Sequence, residues 1–349
     1  AYYGVSPCRQ RPVGSGGPSN NSAVRGSVKY AKLLVAVSLL AQPAVADDPL
    51  YVKNLSPVTG LFGLPSQRDA APVAGWGLDL HTSIASHYVL DLPEEEGLLL
   101  DGETLRFAID ARYGFGERWE VQLEVPWLEQ SGGHLDSVIN RWHDLWGMSD
   151  GGRSDAEDDV LDYRYRSAGA DFTLQDDASG LGDVTAALSY AFYRDEAATA
   201  SVAVGYKFGT GDEQDFLGSG ADDAWVAVRF SGDHLSDLPL AWHGQLGYLY
   251  ADDSDLIGPE QNNNLWFAGL SLDWRIAERW SLLAQLDANA APMDSDTDAL
   301  GTDAILLSLG ARWRFATNWT LDLNFVEDAQ VETAPDVTFQ ASLRYRNNP

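Results

Sequence analysis

The chain has 349 residues, with 52 Asp and Glu against 23 Lys and Arg and a net charge of -29. That excess of anions excludes non-specific nucleic-acid binding, which needs clustered cations to neutralise phosphate. A single cysteine excludes an internal disulfide and a cysteine-based zinc site, while 12 Trp, 14 Tyr and 12 Phe argue against disorder.

Residues 1–27 are rich in Gly, Ser, Pro and Arg and have no hydrophobic period. They are expected to be translated sequence upstream of a start at Val28. Residues 28–46 read as a secretory leader. Lys29 and Lys32 form the charged end, Leu33 to Ala41 the apolar stretch, and Ala44-Val45-Ala46 the cleavage site. No apolar run reaches the roughly 18 residues of a spanning helix. Cleavage after Ala46 removes Cys8 and leaves a chain without cysteine. Residues 47–74 are expected to form an N-terminal periplasmic segment or plug, and residues 75–349 the folded body.

From Gly75 onward apolar and polar residues alternate. Ile305, Leu307, Leu309, Ala311, Trp313 and Phe315 interleave with Leu306, Ser308, Gly310, Arg312 and Arg314. Trp319, Leu321, Leu323 and Phe325 interleave with Thr320, Asp322 and Asn324. Successive side chains of a strand point to opposite faces, so one face is apolar and the other polar. The segments run about ten residues, as a tilted membrane-crossing strand requires. Phe115, Trp119, Trp274, Trp280, Trp313, Phe315 and Trp319 gather at segment ends, where a barrel meets the membrane interface. The pattern predicts an all-β transmembrane antiparallel β-barrel.

Segments 75–88, 104–114, 119–127, 160–174, 183–193, 199–208, 223–230, 240–250, 265–275, 280–289, 303–315, 319–328 and 336–346 are strand candidates. Tight links at Phe115–Arg118, Ile276–Arg279 and Phe315–Asn318 are expected at the periplasmic end, and the long Asp/Gly/Asn stretches outside. Strand direction excludes 160–174 as a full crossing. It belongs to one long extracellular excursion, 128–182, and about twelve strands remain. Within that excursion Leu135, Ile139, Trp142 and Trp146 fall on one apolar stripe of a short helix at 135–146. That helix is a packing element of its own loop, a lid over the lumen, or an element lying on the membrane surface.

Alternation places Asp79, His81, Arg106, Asp110, Arg112, Glu120, Glu124, Asp273, Arg275, Asp287, Arg312, Arg314 and Asp322 on the inner face, with Lys207, Arg229, His243 and Arg344 among further inward positions. Arg106 and Arg112 are expected to face Glu120 and Glu124, and Arg312 and Arg314 to lie between Asp287 and Asp322. Such residues either brace the lumen through cross-strand ion pairs or form an ion-selective constriction. Asp79, His81 and Ser83 resemble a triad in spelling. Alternate residues of one strand lie about 6.6 Å apart, too far for a relay, and no partner on an adjoining strand is evident. No catalytic residue, metal or cofactor is assigned. The acidic outer loops are either solvated or bridged through divalent cations to lipopolysaccharide.

Four phrases carry a family resemblance: PLYVKNLSPVTGLFGLP at 49–65, GGHLDSVINRWHDLWGM at 132–148, GLGDVTAALSYAF at 180–192 and VGYKFGTGD at 204–212. With them the chain resembles the proteobacterial outer-membrane family named domain of unknown function 3187 (DUF3187). The resemblance implies a β-barrel in the outer membrane, with lipid, lipopolysaccharide and the barrel-assembly machinery as partners, and carries no activity. The expected function is a passive or gated channel for small solutes, apolar ones included. The alternatives are a structural or adhesion-type barrel with a closed lumen and, third, an outer-membrane hydrolase.

Overall fold

The computed structural model describes residues 47–93, 96–135, 159–235, 238–330 and 333–347. The leader, the residues before it, and the excursion helix from residue 136 onward, with Ile139, Trp142 and Trp146, lie outside the described residues.

Twelve long antiparallel strands close into a barrel. In chain order they are β1 (Trp76–Asp91), β2 (Gly97–Phe115), β3 (Trp119–Ser131), β7 (Val184–Arg194), β8 (Ala198–Phe208), β9 (Asp223–Gly232), β10 (Leu240–Ala251), β11 (Asn264–Ala277), β12 (Trp280–Asn289), β13 (Ala304–Ala316), β14 (Trp319–Asp328) and β15 (Val337–Arg346). The excursion after β3 carries three short strands, β4 (Asp162–Arg166), β5 (Asp171–Leu174) and β6 (Ala178–Leu181). Closure is made by β1 on β15, from Gly77 against Arg346 to Ser86 against Val337. Closing the sheet leaves no unpaired edge in the apolar layer, which cannot supply hydrogen bonds to a bare backbone.

The outer face is apolar because one parity of every strand is. Leu246, Leu270, Leu282, Leu307, Leu323 and Phe339 are exposed there. Their alternates Arg229, Ser271, Ser281, Ser308, Asp322 and Ser342 are buried inside. Aromatic rings ring the short-turn end. Trp76 packs on Tyr113, Phe115 stacks on Trp119, and Trp280 stacks on Trp313 at 5.6 Å. Tyr206, Phe208, Tyr248, Tyr250 and Trp266 form the corresponding band at the long-loop end.

The excursion departs from a simple loop. Strand β2 begins at Gly97, seven residues before the alternation is legible, because Leu98-Leu99-Leu100 has no period of two. This stretch rises past the barrel rim between β1 and β4. Gly102, at φ +153°, marks where β2 exchanges β3 for β4 as its neighbour, and an added Cβ would meet Leu161 at 2.8 Å. On the other flank β3 changes partner from β7 to β6 at Pro126, which donates no ladder bond and accepts one from Gly182 at 2.9 Å. Residues 160–174 thus form a hairpin on the rim and do not cross the membrane.

Candidate functional site

Residues 47–74 enter the lumen, turn, and leave again before β1. At the short-turn end Asp48 receives both Nη atoms of Arg112 and Arg346 Nη2 at 2.8 Å, and Asp47 receives Arg314 Nε at 2.7 Å. Further in, the Tyr51 ring stacks on His81 at 3.7 Å, and its hydroxyl donates to Glu124 at 3.0 Å. The segment turns through a single 3-10 turn, Thr59–Leu61. There Lys207 Nζ donates to the Leu61 carbonyl at 3.0 Å, and the Gly63 N–H donates to Asp223 at 2.6 Å. On the way out Gln67 reaches Asp287 at 2.8 Å, Arg68 pairs with Asp110, and the Val73 N–H donates to Glu120 at 2.8 Å.

The turn joins three of the phrases noted in the sequence. Lys207 of the 204–212 phrase also holds Asp183 of the 180–192 phrase at 2.8 Å and Ser219 Oγ at 2.5 Å. Lys207 in turn meets the Leu61-Phe62-Gly63 tip of the 49–65 phrase. An added Cβ at Gly63 would stand 2.9 Å from Lys207 Cβ, so only glycine lets the segment lie this close to the wall. Above the tip, Val58, Leu61 and Phe62 pack into an apolar dome with Tyr163, Phe172, Phe216, Trp225 and Phe267. Burial of such side chains contributes roughly 1.5–3 kcal/mol each. Cavities of about 50 and 30 Å³ flank the segment, with room for a few water molecules.

Of the residues assigned to the lumen, Asp79, His81, Arg106, Asp110, Arg112, Glu120, Glu124, Asp273, Arg312 and Asp322 are buried in it. Arg106 pairs with Glu124 at 2.6 Å, and Arg112 lies 3.7 Å from Glu120, across the β2–β3 hairpin. The other expected grouping holds for Arg312 and Asp322 and is corrected at Asp287. Arg312 pairs with Asp322 at 2.7 Å and Asp273 at 2.9 Å, and Arg314 with Asp47. Asp287, half-buried, is held instead by Gln67 and by Gln285 at 2.8 Å. Arg275 is also corrected. It lies exposed at the short-turn rim, beside the register irregularity between Arg275 and Ala277. Glu260, expected among the solvated loop acids, accepts Tyr165 at 2.8 Å and Ser167 at 2.5 Å in a clamp between loops.

His81 does have a partner on an adjoining strand: its Nδ1 lies 2.7 Å from Ser342 Oγ of β15. Alternation along β1 could not show this, because the neighbour is 261 residues away and brought beside it by barrel closure. Both side chains are fully enclosed, and the Tyr51 ring covers the imidazole, so no substrate reaches the pair while the segment is in place. Asp79, His81 and Asp110 each bring a ligand atom within 4.8 Å of the others. Their carboxylates already receive Arg68, Arg112, Arg346 and Gln122, and guanidiniums at this density oppose a further cation. These residues do not fit a metal.

Several wall atoms are left unsatisfied. Ser201 Oγ, Arg229 Nε, both ring nitrogens of His243, Gln245 Oε1, Ser271 Oγ, Gln285 Oε1 and Ser308 Oγ, on β8 to β13, are buried without a hydrogen-bond partner in the protein. His81 Nε2, Asp110 Oδ1 and Arg112 Nε on β1 and β2 are likewise without one.

The fold and its lumen define a twelve-stranded transmembrane β-barrel whose interior is polar and is filled by its own N-terminal segment. The chain belongs to the family described as "Protein of unknown function (DUF3187)", whose profile matches residues 28–347. No curated protein matches the sequence. Solved structures with similar chain paths include the COG4313 outer membrane channel from Pseudomonas putida F1, at TM-score 0.48 and 17% identity over 78% of this chain and 95% of that one. The NanC porin gives 0.45 and 9% over 78% and 100%. The toluene transporter TbuX of Ralstonia pickettii gives 0.39 and 12% over 87% and 96%.

Proposed function

We propose that the protein is a gated outer-membrane channel for small solutes, and that residues 47–74 are its gate. One observation carries this reading: the inner wall is polar on strands all round the barrel, yet what fills it is a tethered segment and not a part of the wall. A polar interior suits either an aqueous channel or a plugged one. Here the segment is bound to the short-turn half mainly through side-chain ion pairs and hydrogen bonds. The ion pairs and hydrogen bonds re-form with water, while withdrawal of the tip exposes Val58, Leu61 and Phe62 of the apolar dome. Export through the leader at 28–46, with cleavage after Ala46, belongs to this reading and is tested by N-terminal sequencing of the exported protein.

The gate is tested with Gly63→Cys and Lys207→Cys together. The 2.9 Å between the added Cβ and Lys207 Cβ is slightly inside the range of a disulfide, so a small shift joins them. In planar bilayers the reduced variant should conduct, and oxidation should suppress the current. Current that ignores oxidation removes residues 47–74 as the gate. A barrel that migrates as folded yet conducts in neither state has a closed, structural lumen. The stripe Leu135, Ile139, Trp142 and Trp146 would be a second cover, and Trp142→Ala with Trp146→Ala should then raise conductance.

A further inference from the structure

The first two residues of the segment occupy a cage of guanidiniums. Asp48 is held by Arg112 and Arg346 and lies 3.5 Å from Arg344 Nη1. Asp47 lies 2.7 Å from Arg314 Nε and 3.9 Å from Arg312 Nη1. Arg312 and Arg344 also donate to the backbone carbonyls of Asp48 at 2.6 Å and Pro49 at 2.7 Å. Five arginines of β2, β13 and β15 therefore converge on two carboxylates that the wall does not own. The wall carboxylates within ion-pair range of these five are Asp79, Glu120, Asp273 and Asp322. If the acidic pair withdraws, the cage keeps five guanidiniums against these four carboxylates.

Arg229 supplies a second, independent sign. It is 1% exposed on β9, facing the lumen two residues before Ser231, which holds Asp69 at 2.5 Å. Among the described residues no carboxylate lies within 4.0 Å of it; its guanidinium lies 3.4 Å from Ser189 Oγ and 5.7 Å from the Trp225 ring centroid, and its Nε has no partner. A buried cation without a counter-ion is costly, and its retention calls for an anion that the wall does not provide.

We infer that this arginine cage is a binding site for small carboxylate solutes, dicarboxylates above all, and that Asp47-Asp48 is its tethered competitor. Guanidinium forks match planar carboxylates through paired hydrogen bonds, as Arg112 already does with Asp48. A solute carboxylate that takes the place of Asp48 makes the same bonds and frees the start of the segment. The inference rests on the gate reading, because it requires that the segment can leave, and it gives that gate a solute class and a trigger.

The test is calorimetric binding, with succinate as the probe, to the folded full-length protein in detergent. Asp47→Asn with Asp48→Asn should bind succinate at least about tenfold more tightly than wild type, because the competitor no longer fills the site. Arg229→Gln, which removes the buried lumen cation that has no wall carboxylate beside it, should weaken binding about tenfold through loss of its charge. In wild type, succinate should speed amide exchange over residues 48–52 while neutral butanediol does not. That measurement needs no variant and stands if the double substitution fails to fold. Equal succinate affinity in wild type and the folded double variant, or exchange unmoved by succinate, overturns the carboxylate site. Because binding is read without current, that failure leaves the disulfide-lock result standing on its own, and a silent lock is recognised separately.

Discussion

Asp48 lies 64 residues before Arg112 in the chain, yet its two carboxylate oxygens meet the two Nη atoms of that guanidinium inside the barrel. The pair fastens the start of the inserted segment to β2. It also shows how the lumen is neutralised: the wall and the segment each carry charge that the other completes.

The wall has the same dependence among its own strands. Arg312 is fully buried and bonds Asp322 through Nε at 2.7 Å and Nη2 at 2.9 Å, with Asp273 at 2.9 Å. Arg312→Met leaves Asp322 with Arg344 alone and Asp273 with Arg314 at 3.6 Å, and should destabilise the barrel by about 3 kcal/mol. Arg312→Met with Asp322→Leu should recover much of the loss. Heat-modifiable gel migration reads both, and a single variant as heat-resistant as wild type would show that the pair is dispensable.

On the outer face, Leu307 and Leu323 point away from the lumen and are exposed. Arginine near the bilayer midplane costs roughly 2–4 kcal/mol, falling toward the interfaces. Leu307→Ala and Leu323→Ala should assemble as wild type, and the Arg variants should assemble poorly. Normal insertion of Leu307→Arg would mean that this side of β13 does not face lipid.

Gly114 is where the segment leaves the lumen. Its N–H donates to the Gly75 carbonyl at 2.9 Å, and an added Cβ would stand 1.8 Å from the Val73 carbonyl oxygen. That neighbour is backbone, so the clash is relieved only by moving the segment. Gly114→Ala should therefore make residues 64–74 more open to protease while the barrel keeps its folded migration. Unchanged cleavage would mean that the exit path tolerates the shift.

The long-loop end has a pH-sensitive clasp. Glu96 accepts Ser295 Oγ at 2.7 Å and the Asp296 N–H at 3.2 Å, and lies 3.0 Å from the Tyr165 hydroxyl that it shares with Glu260. Partial burial raises its pKa, but these bonds and one from the Thr297 backbone outweigh that and hold it below the ordinary glutamate range. A depressed carboxyl stabilises fully above its unfolded value and loses that contribution as pH falls through its folded value. Protease access to residues 290–303 should accordingly rise between about pH 5 and about pH 3, and Glu96→Gln should flatten the change. An identical rise in Glu96→Gln assigns the loosening to another group.

By itself the sequence determined the barrel. The two-residue period of Ile305–Phe315 and Trp319–Phe325 sets which side chains face lipid, because that period is a property of the extended backbone. The tight links and the direction of successive strands set the count of twelve. That Arg106 and Glu124 share the inner face of the β2–β3 hairpin was legible as well; their pairing was not, since the register sets Arg106 opposite Leu128 and Glu124 opposite Asp110. Only the tertiary structure decided what fills the lumen and who partners whom across it. Residues 47–74 have no period to read, and their contacts with Arg112, Lys207, Ser231 and Arg312 are made by side chains far apart in sequence. The Ser342 beside His81 and the Gln67 beside Asp287 likewise depend on closure of β1 on β15 and on the path of the inserted segment. Alternation specifies the face of a residue; its neighbour on that face is set by closure, register and the chain threaded through the middle.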